Sequence, residues 1–353
     1  MSAGDVAIEI GTSATRVAVR GRGIVFDEPS VAAIDMTTGK LVAFGQRALR
    51  LRGRAAGHVA IVRPLVHGEL VDLNIADEIS KYLLDQLGRR GLRRPAVVAC
   101  IAGGATGVQR RALTDSLRRA GARRVELLDN QTAAAIGARL PIGDVAGSMI
   151  VDMGAGTTDI ALYALGAAAT CVSVPLGGGD LDHSIREHCR KGLDLVVDPE
   201  TAEQVRISIG SAESLAEDLK AEVQGRDAWD GSPRTVVISS AELFEVMNSQ
   251  LREIVSRLVG AIQGAPPDLA NDLLHRGIHL AGGVSRQTGI ASHLAAETGL
   301  PVHLVDEPEL AAVRGAVRSL SPGVSPTVRP VVRKRRKPAQ MRLGQKRWSA
   351  LRR

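Results

Sequence analysis

Apolar residues alternate with polar or small ones in two stretches of the chain, VAIEIGTSATRVAV at residues 6–19 and MIVDMGAGTTDIAL at residues 149–162. A period of two predicts strands, and the glycines midway predict a tight turn, so each stretch reads as strand, turn, strand. The two superpose at a constant offset, Glu9 on Asp152, Gly11 on Gly154 and Thr15 on Thr158. The rest of the chain follows an α/β rhythm. A β-rich run at 96–101 precedes a helical pattern at 106–120, a strand at 125–128 and a short Ala-rich helix at 131–139. After the second hairpin, Gly177-Gly178-Gly179-Asp180 opens a helix to about residue 190, and Ser239 to Glu242 form a capping box. That box starts a long helix whose face of Leu243, Met247, Leu251, Ile254, Val255, Leu258 and Ile262 is core. Residues 277–283 read as a buried strand ending in a glycine turn before another helix, a form that suits close approach of a nucleotide.

The repeated hairpin has a chemical use. Glycines bring the turn backbone close to an anion, successive N–H groups form a cradle, and the hydroxyls of Thr12, Ser13, Thr157 and Thr158 add donors. Two such turns facing each other would clamp a polyphosphate. Glu9 and Asp152, each two residues before the first glycine, would sit at strand ends where they can hold the hydration shell of Mg²⁺. The N-terminus of the helix after Gly177 would present further N–H groups to phosphate.

Composition narrows the setting. The 353 residues are 44% hydrophobic, with a mean hydropathy of +0.04, which predicts a globular, soluble chain of about two domains. Cys100, Cys171 and Cys189 show no C-x-x-C spacing, and no secretory signal opens the chain, pointing to a reducing cytosol. The charge-free stretch 160–179 is broken by Gly166, Pro175 and three successive glycines, against a membrane span. Net charge is +7, yet eleven cations and no acids lie beyond residue 320, so the first 320 residues carry −4. The tail, rich in Arg, Lys and Pro, is expected to be disordered. His183, His188 and Cys189 do not share one helical face, which argues against a metal site there, and no Ser-His-Asp or Cys-His nucleophile is apparent.

These residues resemble the bacterial actins of the MreB and Mbl type, within the actin, heat-shock chaperone and sugar kinase superfamily. The two hairpins mark the superfamily. Closer to MreB are GRGIVFDEPSVAAI at 21–34, IVRPL at 61–65, VQRRA at 108–112, AAAIG at 133–137, IGSA at 209–212 and QGRD at 224–227. The likeness runs over residues 5–320. It implies an α/β, actin-like ATPase fold: two related domains, each a mixed sheet flanked by helices, around a nucleotide cleft. Domain I would span 1–140, with a small subdomain at 27–72. Domain II would span 141–307, with a small subdomain at 183–255, and a helix at 308–320 would return to domain I.

The resemblance also implies ATP binding with Mg²⁺, and filaments that organise cell-wall synthesis and cell shape from the inner face of the cytoplasmic membrane. Residue by residue, Gly11 and Thr12 match the first phosphate loop, and Asp152, Gly154, Gly156, Thr157 and Thr158 the second. Gly177, Gly178 and Asp182 resemble the third contact, Glu203 and Arg206 lie near the nucleoside, and Gly282 and Gly283 match the adenosine turn. Arg206 replaces a family Lys, and Val284 a third glycine.

Three departures touch hydrolysis. Glu9 stands for Asp, Ala14 for Asn, and Asn130-Gln131 for a Glu-Pro pair whose Glu is thought to orient the attacking water. Asn130 and Asp152 remain the candidates at the chemical step, with Asp129 a shifted substitute, and the expected ATPase is slow or absent. The loop that relatives insert in the bilayer reads LGRRGLRRP at 87–95. Arg89, Arg90, Arg93 and Arg94 suit anionic headgroups instead, assisted by the basic tail and Trp348. One aromatic in the tail offers little for stacking nucleic acid. A non-polymerising nucleotide switch or scaffold, and a small-molecule kinase, are the competing readings.

Overall fold

A computed structural model describes residues 5–89, 94–321 and 329–330. The two hairpins sit at the centres of two sheets of the same topology. In the first, strands Val6–Ile10, Ala14–Val19 and Gly23–Pro29 form an antiparallel meander, and Ala96–Ile101 then Arg124–Asp129 add in parallel beside the first strand. In the second, Ser148–Met153, Thr158–Ala164 and Ala167–Val174 form the meander, and Ile278–Ala281 then Val302–Leu304 add in parallel. The repeat in the sequence is thus one corner of a repeat in topology.

Local chemistry sets the helix starts. Thr106 caps helix Gly107–Arg119, Asp198 caps Pro199–Ile209 and Ser239 caps Ser240–Gln263, each accepting from the N–H three residues on. Helix Ser240–Gln263 buries Leu243, Met247, Leu251, Ile254 and Leu258 in the core of the second half, while Ile262 lies only partly covered at its edge. Two small three-stranded sheets flank the cleft. One joins Ala32–Asp35, Leu41–Phe44 and Val59–Val62, the other Leu195–Val196, Lys220–Asp227 and Pro233–Ser239.

The halves are joined by an exchange of helices. Helix Asn130–Gly137 follows the last strand of the first sheet, yet Ala134 and Ala135 pack against Ile150, Ala161 and Tyr163 of the second. Helix Ala311–Ser319 follows the last strand of the second sheet, yet Ala312, Val313 and Ala316 pack against Ala7, Ala18 and Val98 of the first. Small side chains let the two helices touch. No helix among the described residues is long and apolar enough to cross a membrane.

The basic loop falls mostly outside the described residues, as does the tail. Within the tail, Arg329–Pro330 pairs in parallel with Ala167 and Ala168 at the edge of the second sheet, so this short part of a segment read as disordered is backbone-paired.

Candidate functional site

The two hairpin turns are closed by the same hydrogen bond. Gly11 N–H donates to Ala14 O at 2.9 Å, and Gly154 N–H to Thr157 O at 2.8 Å. A Cβ on Gly11 would stand 2.8 Å from that Ala14 oxygen, and one on Gly156 would stand 2.2 Å from the Thr12 hydroxyl. The turns therefore face each other in contact across the cleft, and only glycine fits at the point of approach.

Below this contact lies a cavity of ≈ 260 Å³. Gly11, Thr12 and Ser13 line it from the first half, and Gly154, Gly156 and Thr157 from the second. Gly178, Glu203, Arg206, Gly282 and Gly283 form its outer part, and Glu9, Asp152 and Asn130 its inner wall. An adjoining space of ≈ 440 Å³, also bounded by Thr12, Gly156 and Glu203, is lined further by Arg63, His67, Asp182 and Arg186. At Gly282 the backbone takes φ +82°, and a Cβ there would lie 2.7 Å from Asp152 Oδ1. Glycine is needed both for that conformation and for that approach.

Several expectations are corrected. Thr158 does not line the cavity: its side chain is fully buried in the sheet and its hydroxyl donates to Leu176 O at 2.9 Å. Gly177 lies behind the second turn, where a Cβ would meet Gly154 O at 2.5 Å. Nor does the helix that follows offer free N–H groups. Gly178 N–H donates to Gly154 O at 3.0 Å and Gly179 N–H to Ala155 O at 2.8 Å, while the Asp180 carboxylate accepts from Gly177 N–H at 2.8 Å. The third loop buttresses the second turn instead of presenting donors of its own.

In the 129–131 segment only Asn130 faces the cavity. Asp129 is drawn away to Arg110, whose Nη2 donates to it at 2.5 Å, so it does not substitute for a water-orienting carboxylate. Gln131 is buried, with its Nε2 donating to Cys171 Sγ at 3.1 Å. Arg206 lines the cavity, but its guanidinium is held by the buried Asp182 at 2.6 Å and by Gln287 at 2.9 Å. Burial lifts the Asp182 carboxyl to about 6 against the pull of Arg206.

The inner wall is acidic and poorly solvated. Burial above all pushes the Glu9 carboxyl up to about 7 and the Asp152 carboxyl to about 8, with Asp159 and then Glu9 adding repulsion at Asp152. Glu9 Oε2 is buried without a hydrogen-bond donor. Two such oxygen-bearing groups fit the hydration shell of a hard divalent cation.

Sequence reasoning passed over Arg16 and Asp159. Arg16 pairs with Glu9, and Asp159 with Asp152, at matching places in the two hairpins. The hairpin register carried that signal: once a turn closes between Gly11 and Ala14, residue 9 must face residue 16.

The MreB/Mbl protein family model matches residues 3–324. The chain is 36% identical over 326 residues to the cell shape-determining protein MreB of Escherichia coli K12, covering 91% of this chain and 94% of that protein. It is 32% identical over 309 residues to the cell shape-determining protein Mbl of Bacillus subtilis, covering 87% and 93%. Among solved structures, MreB5 of Spiroplasma citri bound to ADP superposes with a TM-score of 0.84 at 27% identity, covering 90% of this chain and 96% of that one. The MamK double helical filament shares the fold, with a TM-score of 0.71 at 20% identity. With its paired turns, its duplicated sheet topology and a family match over nearly its whole length, the chain is a member of the MreB/Mbl family of actin-like proteins.

Proposed function

We propose that the protein binds ATP between its two halves and assembles into filaments that organise cell-wall synthesis and cell shape. The contact between the turns at Thr12 and Gly156, each closed by the same backbone hydrogen bond, carries this reading. A polyphosphate lying there would touch both halves at once, so its presence would set how they are held. The relatives support it: two are cell shape-determining proteins, and Spiroplasma citri MreB5 has been solved with ADP and with AMPPNP.

Glu9 and Asp152 would hold hydrated Mg²⁺, which supplies positive charge against the phosphates. Thr12, Ser13, Gly156 and Thr157 bind phosphate through backbone N–H and hydroxyl groups, Gly11 and Gly154, whose N–H groups close the turns, let phosphate approach the backbone, and Gly282 and Gly283 admit the adenosine. Glu203 flanks the nucleoside. Arg206, fixed by Asp182, shapes that end more than it donates charge. Asn130 holds a water by its amide without a carboxylate's basicity, so hydrolysis is slow. The filaments lie at the inner face of the cell membrane through the arginine-rich loop and basic tail, whose cations suit anionic headgroups.

The test is pelleting of the full-length protein and of a form ending at Leu320, with ATP and Mg²⁺, while phosphate release is followed in the same sample. Pelleting with ATP at background phosphate release is the expected result. Failure of both forms to pellet under every nucleotide condition would transfer the protein to the class of non-polymerising switches or scaffolds.

A further inference from the structure

Arg16 is a cation built into the floor of the nucleotide cavity. It projects from the second strand directly across from Glu9 and beside Asp27 in the register of the sheet. Arg16 Nη1 lies 3.8 Å from Glu9 Oε2 and Nε lies 3.1 Å from Asp27 Oδ1. Asp152 and Glu309 line the same cavity, Glu309 being paired with Arg286 at 2.8 Å. Two carboxylates, Glu9 and Asp27, thus flank one guanidinium.

The equivalent position in the other half is occupied by an acid. Asp159 faces Asp152 as Arg16 faces Glu9. Of the two hairpins, only the first therefore sets a cation opposite its cavity carboxylate. The cavity's other cation, Arg206, is committed to Asp182 and Gln287. Arg16 is ion-paired with Asp27 at 3.1 Å and lies 3.8 Å from Glu9, yet neither its buried Nε nor Glu9 Oε2 makes a hydrogen bond. An unsatisfied donor and acceptor side by side in a cavity leave Arg16 held by charge and open to an anionic ligand.

We infer that Arg16 is a resident cation of the phosphate cavity, partly filling beside Glu9 and Asp152 the role of a divalent metal, so that this protein retains ATP with little dependence on Mg²⁺. The inference rests on the nucleotide reading above, and concerns binding, not turnover. Lysine would preserve it as a point charge, whereas methionine would keep the stem and remove the cation.

The experiment is equilibrium binding of a fluorescent ATP analogue to the full-length protein, in excess Mg²⁺ and in EDTA, for the wild type, Arg16→Met and Arg16→Lys. Wild-type Kd is expected to rise less than about tenfold in EDTA, and Arg16→Met to enlarge that ratio by about tenfold or more, with Arg16→Lys close to wild type. A wild-type ratio above about tenfold overturns the inference, as does an Arg16→Met ratio that does not increase. If Arg16→Met does not fold, as judged by circular dichroism, the wild-type ratio decides alone. Binding in Mg²⁺ that vanishes in EDTA sinks only the role of Arg16. Absence of binding in both conditions removes the nucleotide reading as well.

Discussion

Gly137 and Gly315 mark the point where the exchanged helices cross. A Cβ on Gly137 would stand 1.9 Å from Ala311 O, and one on Gly315 would stand 1.7 Å from Ala133 O. Each glycine is thus pressed onto the backbone of the opposite helix, one turn from the other's partner. The crossing is also where helices of the two halves pack together, and Ala312 beside it lines the cavity. Alanine at Gly315 cannot be relieved by rotating a side chain, because what it meets is main chain. Gly315→Ala is expected to cost about 3 kcal/mol or more in urea unfolding. Gly88→Ala, on a helix with nothing within 4 Å of the added methyl, is expected to be neutral or to stabilise by up to about 1 kcal/mol. Equal effects of the two substitutions would refute this account of the crossing.

Across the mouth of the cleft, Glu200 accepts from Arg52 and, at 3.2 Å, from Arg63. Arg63 also donates to Thr12 O at 3.3 Å, tying the first phosphate turn to the same cluster. These side chains join the small sheet of one half to helix Pro199–Ile209 of the other, and they are only partly exposed. Glu200→Gln should speed nucleotide release by about fivefold, the effect of losing roughly 1 kcal/mol of partly screened ion pairing. Stopped-flow displacement of a fluorescent nucleotide measures it, and high salt should narrow the difference between the two proteins.

Asn130 is the residue of its segment that reaches the cavity, which makes it the place to restore a carboxylate. Asn130→Glu is expected to raise the rate of phosphate release about tenfold or more, with nucleotide affinity little changed. Release that stays at the wild-type level would show that the amide is not what limits hydrolysis.

The acidic floor also sets a pH dependence. Glu9 and Asp152 titrate near about 7 and about 8 in the folded protein, mainly through burial, and in the ordinary carboxylate range when unfolded. Between those ranges the folded state binds protons that the unfolded state has released. Their contribution to stability is therefore fully present below the unfolded values and is lost as pH rises through the folded ones. The melting temperature of the nucleotide-free protein should fall between about pH 5 and pH 8 and level off above that, and this slope should flatten in Glu9→Gln/Asp152→Asn. A slope unaffected by the double substitution would place its origin elsewhere.

The sequence by itself determined the local pieces of this molecule. Alternation around Gly11 and Gly154 specified two hairpins, because side-chain period and turn geometry act within a few residues. Thr106 and Ser239 announced their helices for the same reason: a cap bonds to an N–H three residues away. The duplicated carboxylate and glycine spacing pointed to a polyphosphate site, and the additional MreB-like segments disclosed the family.

What the tertiary structure decided were the partners that each polar group finds far along the chain. The N–H groups after Gly177 are taken by carbonyls of the second turn, Arg206 is taken by Asp182, and Asp129 is taken by Arg110. Thr158 and Thr157 are adjacent hydroxyls, yet strand alternation buries one and opens the other to the cavity. Arg16 becomes a cavity cation only where residues of the other half, Asp152 and Glu309 among them, line the same space. Propensity and capping are short-range and survive in a string of letters. Desolvation, charge pairing and the crossing at Gly137 and Gly315 depend on which distant atoms share a space, and only the folded chain determines that.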